Sequence, residues 1–126
     1  MTIPNQAQYV SIARLTATVI ANTLGFDIDE IEDIKVAIGE ACNNAVMHGN
    51  KSSNITLDFQ IHEGRFFVEI TDDGEGFDFE EYAEPVLEEY KGRGLGLFII
   101  KTLMDEMIID SGMGNGTRIT LIKNKE

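Results

Sequence analysis

The stretch Asp29–Gly49, DEIEDIKVAIGEACNNAVMHG, limits the possible folds more than any other part of the chain. Ile31, Ile34, Ala37, Ile38, Ala41, Cys42 and Ala45 recur at helical spacing, and small residues dominate the second half. A helix with this pattern packs closely against neighbours on more than one side. Two polar residues interrupt it. Glu40 and Asn44 are one turn apart, so their side chains share a face. Burying such groups without partners costs roughly a few kcal/mol each. Either backbone groups satisfy the pair, or it faces a ligand.

A chain of 126 residues is long enough for one domain with a sizeable core, and 1–126 reads as a single unit. Its net charge of −12 argues against unspecific binding to nucleic acid or to an anionic membrane surface. A phosphate ligand remains compatible with that charge if a metal ion and backbone N–H groups receive it. Cys42 is the one cysteine, so no internal disulfide forms and a reducing compartment fits. Its place in the apolar stripe makes it a core residue. Met1–Val10 has neither a basic segment nor an apolar run of the signal-peptide kind. The longest apolar run, Leu95–Ile100, is too short to span a bilayer. A cytoplasmic protein is the expectation.

The coarse order of elements follows from periodicity. An extended start over Met1–Gln8 precedes a helix over Tyr9–Leu24, which Gly25 closes. Asp27 and Glu30 form a capping-box pattern for the second helix, and Gly49 is expected to end it in the same left-handed way. Ile55–Ile61 and Arg65–Thr71 alternate with period two around His62-Glu63-Gly64 and read as a hairpin. An acidic segment over 78–89 is too long for a plain connection and reads as a lid or as a segment with a short helix of its own. A third helix over LFIIKTLMDEM and two strands, Met107–Asp110 and Thr117–Ile122, complete the chain. The compact solution is an α+β, two-layer sandwich: a mostly antiparallel sheet with its helices on one face.

Three further segments carry chemistry. Asp72-Asp73-Gly74-Glu75-Gly76 follows a strand; it is either an ordinary turn or a place where backbone passes close to a flat ligand. Gly92-Arg93-Gly94-Leu95-Gly96 opens a helix and can form an anion cradle. Gly114-Asn115-Gly116-Thr117 is a hairpin whose threonine hydroxyl can reach a ligand.

Taken together in order, E-x-x-x-N-A, D-x-G-x-G, G-x-G-x-G and G-T resemble the nucleotide-binding boxes of the GHKL (Bergerat-fold) ATPases. ARLTATVIA (Ala13–Ala21), DIDEIEDIKVAIGEACNNAVMHG (Asp27–Gly49) and GRGLGLFIIKTLMDEM (Gly92–Met107) resemble one branch, the anti-sigma-factor serine kinases of the RsbW and SpoIIAB type. The resemblance runs from Ile3 to Leu121 and implies a protein-serine kinase that uses ATP and Mg2+. It implies that Asn44 coordinates magnesium and that Glu40 is the general base. Asp72 would bind adenine, with Gly74, Gly76 and Thr117 around the base. Gly92, Gly94 and Gly96 would form the phosphate loop. Arg93 would touch the γ-phosphate or remain a solvated lid residue, and His48 would approach a phosphate or cap its helix. Arg14 matches a partner-binding arginine, against the plainer reading of a surface charge. The implied partners are a sigma factor and a STAS-type anti-anti-sigma factor, with the kinase a homodimer that contacts neither nucleic acid nor membrane. The short acidic segment 78–91 and the end of the chain just after the last strand depart from the family pattern. A non-catalytic ATP-binding switch and a free-standing histidine-kinase-like domain are the alternatives.

Overall fold

The computed structural model describes residues 1–49, 53–72, 93–111 and 116–125. Strand β1 (Thr2–Pro4) leads through a 3-10 turn (Ala7–Tyr9) into α1 (Val10–Leu24). Gly25 ends α1 with φ at 87°, a left-handed conformation that glycine adopts without a Cβ penalty. Two residues later Asp27 starts α2 (Ile28–His48) with a complete capping box. The Glu30 N–H donates to Asp27 Oδ1 at 2.8 Å, and the Asp27 N–H donates to Glu30 Oε1 at 2.9 Å. Asp27→Ala is therefore expected to lower stability by about 1 kcal/mol, read as a lower denaturant midpoint at unchanged slope.

The remaining elements are β2 (Asn54–His62), β3 (Arg65–Asp72), α3 (Arg93–Leu103), β4 (Glu106–Ser111) and β5 (Thr117–Asn124). All described strands join one sheet in the order β1-β2-β3-β5-β4, antiparallel throughout. Glu63 and Gly64 link β2 to β3 with φ at 50° and 78°, and two successive positive values suit the twist of a tight hairpin.

One face of the sheet is covered. Ile55, Leu57, Phe66, Val68, Ile70, Ile119 and Leu121 point into the core from alternate positions of β2, β3 and β5. The helices meet them with Ala13, Ala17 and Ala21 from α1, Ile34, Ile38 and Ala41 from α2, and Leu97 and Ile100 from α3. Alanines along α1 and α2 let the two helices approach closely, and α2 is the central helix, packed against both α1 and α3. The other face is wet: Arg65 pairs with Glu106 and lies 5.0 Å over the Phe67 ring, and Arg118 reaches Glu69 at 3.6 Å. The architecture is the expected α+β arrangement. Among the described residues no helix is long and apolar enough to cross a membrane.

Three boundaries differ from expectation. Gly49 ends α2 in extended backbone, φ −91° and ψ −172°, rather than in the left-handed region. Helix α3 starts at Arg93, so Gly94 and Gly96 lie inside it instead of in a loop before it. It also stops at Leu103, short of Asp105-Glu106-Met107. There the Asp105 N–H donates to Ile122 O at 2.9 Å and the chain passes into β4, so sheet pairing overrides the helical periodicity. The acidic segment 78–91, Gly74, Gly76, Gly92, Gly114 and Asn115 lie outside the described residues.

Cys42 is fully buried on α2, and burial pushes its thiol up to about 12 while the nearby Arg14 pulls the other way. The folded thiol is therefore inert, and a thiol reagent at pH 8 is expected to label Cys42 only after denaturation. The linkage has a sign. Between the ordinary value of 9.0 and about 12 the unfolded chain releases a proton that the folded chain keeps. This contribution to stability is complete below pH 9 and declines as pH rises through that window, which alkaline unfolding titrations would register.

Candidate functional site

The candidate residues are arranged along α2. Glu40 is half-buried and faces α3: its Oε2 lies 3.2 Å from the position a Cβ on Gly96 would take. A side chain at position 96 would press on that carboxylate, so Gly96 lets the acid sit against the first turns of α3. Among the described residues α3 begins at Arg93, and the first N–H groups of a helix, here those of Arg93, Gly94 and the residues after them, are the ones suited to receive an anion. A carboxylate and an anion-accepting helix end are thus neighbours.

One turn further along α2 is Asn44, 8% exposed. Its Oδ1 is buried and accepts no hydrogen bond from any described residue. An amide oxygen left without a donor in a core is costly unless something else fills its coordination. A hard cation is one such partner, because magnesium takes oxygen ligands and keeps its remaining positions for water and phosphate. Asn44 fits that ion. Among the described residues no group of three His, Cys, Asp or Glu side chains is clustered to bind a metal alone.

The far end of α2 meets the sheet. Asp72 is the last residue of β3, in phase with Phe66, Val68 and Ile70, so it points to the helix-covered face and is 8% exposed. It pairs across the ladder with Thr117 of β5, which is also buried. Its Oδ1 lies 3.2 Å from the position a Cβ on Gly49 would take. Gly49 follows Glu40 by nine residues, a rise of about 13 Å along the helix. Asp72 and Glu40 therefore stand on the same side of the sheet, at opposite ends of one groove-length segment of α2, with Asn44 between them. His48 is the last residue of α2 and half-buried.

Arg14 is not on that line. It projects from α1 onto α2, where its Cδ and Nη1 lie 3.2 Å from the position a Cβ on Gly39 would take. Asn5 is a residue that sequence reasoning missed. It is 1% exposed, and its Nδ2 donates to Ala45 O at 3.1 Å, beside Gly49. Nothing local to Pro4-Asn5-Gln6 signals this, because the partner lies forty residues away.

A family model described as the histidine kinase-like ATPase domain matches residues 3–123. The chain belongs to this family. Within it, the relatives of this histidine kinase-like ATPase domain include serine-protein kinase RsbW from Halalkalibacterium halodurans, 41% identical over 124 residues and covering 90% of this chain and 76% of the relative. Serine-protein kinase RsbW from Bacillus subtilis is 36% identical over 149 residues, covering 100% of this chain and 93% of the relative. The same-named protein of Bacillus cereus is 42% identical over 125 residues, covering 90% and 78%. Identity and coverage at this level group the chain with the serine/threonine-protein kinases of the RsbW kind. Solved structures agree on the fold. The histidine kinase domain of the blue-light activated kinase from Erythrobacter litoralis superposes with a TM-score of 0.61 at 21% identity, covering 97% of this chain and 61% of that one. The mycobacterial sensor histidine kinase MprB gives 0.60 at 21% identity, covering 75% and 71%.

Proposed function

We propose that this chain transfers the γ-phosphoryl group of Mg-ATP to a serine hydroxyl of a STAS-type anti-anti-sigma factor, and that it also sequesters a sigma factor. The observation that carries the kinase reading is the buried Oδ1 of Asn44, without a donor among the described residues, one turn from a carboxylate that rests on the first turns of α3. Bound magnesium would supply charge neutralisation to the phosphates. In this reading Asn44 holds the ion through its amide oxygen. The N–H groups at the start of α3, with Gly92, Gly94 and Gly96, receive phosphate oxygens. Asp72 accepts a hydrogen bond from the exocyclic amine of adenine, with Thr117, Gly74 and Gly76 around the base.

Glu40 takes the proton of the incoming serine as its oxygen bonds to the γ-phosphorus. The bond from that phosphorus to the bridging oxygen breaks and ADP leaves. Catalysis of this kind relies on alignment more than on covalent chemistry, which suits groups fixed on one helix.

The partner reading has its own support. Arg14 stands on α1, whose outward side carries Ile12, Leu15 and Val19, 43%, 64% and 64% exposed. The hydroxyls of Thr16, Thr18 and Thr23 on that helix bond to carbonyls four residues back, so the outward side is apolar, while Arg14, the one charge of the helix, lies off that side against Gly39 of α2. Such a helix suits a protein partner, a sigma factor or a second copy in a homodimer. A cytoplasmic location follows from the same reading.

The direct test incubates the protein with labelled Mg-ATP and a candidate STAS protein. Phosphoserine on that protein supports the proposal. A STAS protein that binds stably yet gains no phosphate would reduce the chain to a nucleotide-dependent binding module.

A further inference from the structure

We infer that Asn5 is a positioning residue for the base end of the site, fixing Asp72 and the last turn of α2 relative to one another; this rests on the assignment of Asp72 to adenine. Asn5 follows β1, and its backbone N–H donates to Ser53 O at 3.2 Å, just before β2. The side chain then turns inward, 1% exposed, and Nδ2 donates to Ala45 O. Ala45 O also accepts the Gly49 N–H at 2.7 Å, so the side-chain donor reinforces the helix end.

Gly49 is where the three parts meet. A Cβ there would stand 2.4 Å from Ala45 O, 2.8 Å from Asn5 Nδ2 and 3.2 Å from Asp72 Oδ1. The Asn5 amide and the Asp72 carboxylate are thus both packed against the same bare Cα. A side chain at 49 would displace at least one of them, which accounts for glycine in an extended conformation that any residue can adopt.

The chemistry of the amide fits the task. Asn5 is neutral, so it steadies the surroundings of Asp72 without a positive charge competing for the carboxylate. An adenine amine approaching Asp72 would meet an acceptor held in place by packing. Truncating Asn5 removes one donor to Ala45 O and the bulk beside Gly49, and the carboxylate can then settle away from the amine.

The test compares Mg-ATP with purine riboside triphosphate, which lacks the exocyclic amine, by calorimetry on the full chain. The unmodified protein is expected to favour ATP roughly tenfold, because Asp72 loses its donor with the analogue. In Asn5→Ala this preference is expected to shrink to about twofold, while affinity for the analogue stays within about twofold of the unmodified value. If Asn5→Ala does not fold, as judged by circular dichroism, Asn5→Ser is read for the same ratio. A folded variant that keeps the full preference overturns the inference. Equal weakening of both nucleotides also overturns it, since that marks general damage. No preference in the unmodified protein would refute the base role of Asp72 and the inference with it, whereas no binding of either nucleotide would refute the proposed function itself.

Discussion

Glu40→Gln is expected to reduce phosphoserine formation by about a thousandfold while leaving Mg-ATP affinity within about threefold. Glutamine keeps the size of the side chain and its fit against Gly96, where Oε2 now sits 3.2 Å from the position of an added Cβ. It retains hydrogen-bonding capacity but cannot take up the proton of the serine hydroxyl. Binding and chemistry therefore separate. Initial rates of phosphoserine appearance, paired with calorimetric titration of Mg-ATP, read the two independently. Loss of binding in step with loss of rate would make Glu40 a ligand-holding group rather than a base, and an unchanged rate would move the base role to another residue.

Asn44→Leu is expected to act in opposite directions on stability and on nucleotide binding. The buried Oδ1 has no donor among the described residues, so the folded protein without ligand bears its desolvation, a cost of about 1–3 kcal/mol. Leucine has a similar volume and removes that oxygen, so the variant is expected to unfold at a temperature a few degrees higher. Affinity for Mg-ATP is expected to fall on the order of a hundredfold, because the ion loses its protein oxygen. Affinity measured in the presence of a chelator is expected to change little. A variant that is less stable and binds Mg-ATP normally would show that the amide serves the core alone.

Legibility from sequence depended on how local the determinants are. The Asp27–Glu30 capping box and the β2–β3 hairpin follow from residues within a few positions of each other, and both were readable. The layering was readable because apolar periodicity reports burial directly. The end of α2 was misread because its carbonyl partner comes from Asn5 and its glycine serves close packing against Asp72 instead of backbone handedness. The end of α3 was misread because Met104 and Met107 continue a helical pattern across a boundary that pairing with β5 decides. The polar pair Glu40 and Asn44 stood out only because polarity inside an alanine-rich stripe demands a reason. That Gly96 lies beside Glu40, and Asp72 beside Gly49, needed the fold to be seen.

Because α2 runs without interruption from Glu40 to His48, next to the Gly49 corner, it would serve a bound nucleotide as a rigid gauge. A nucleotide anchored by its base beside Asp72 would be measured against a fixed length of helix, and one with a shorter phosphate chain would stop before reaching the acid. Discrimination by reach would then come from the rise of the helix itself. No point change in a surrounding loop would retune it as long as that rod stays straight.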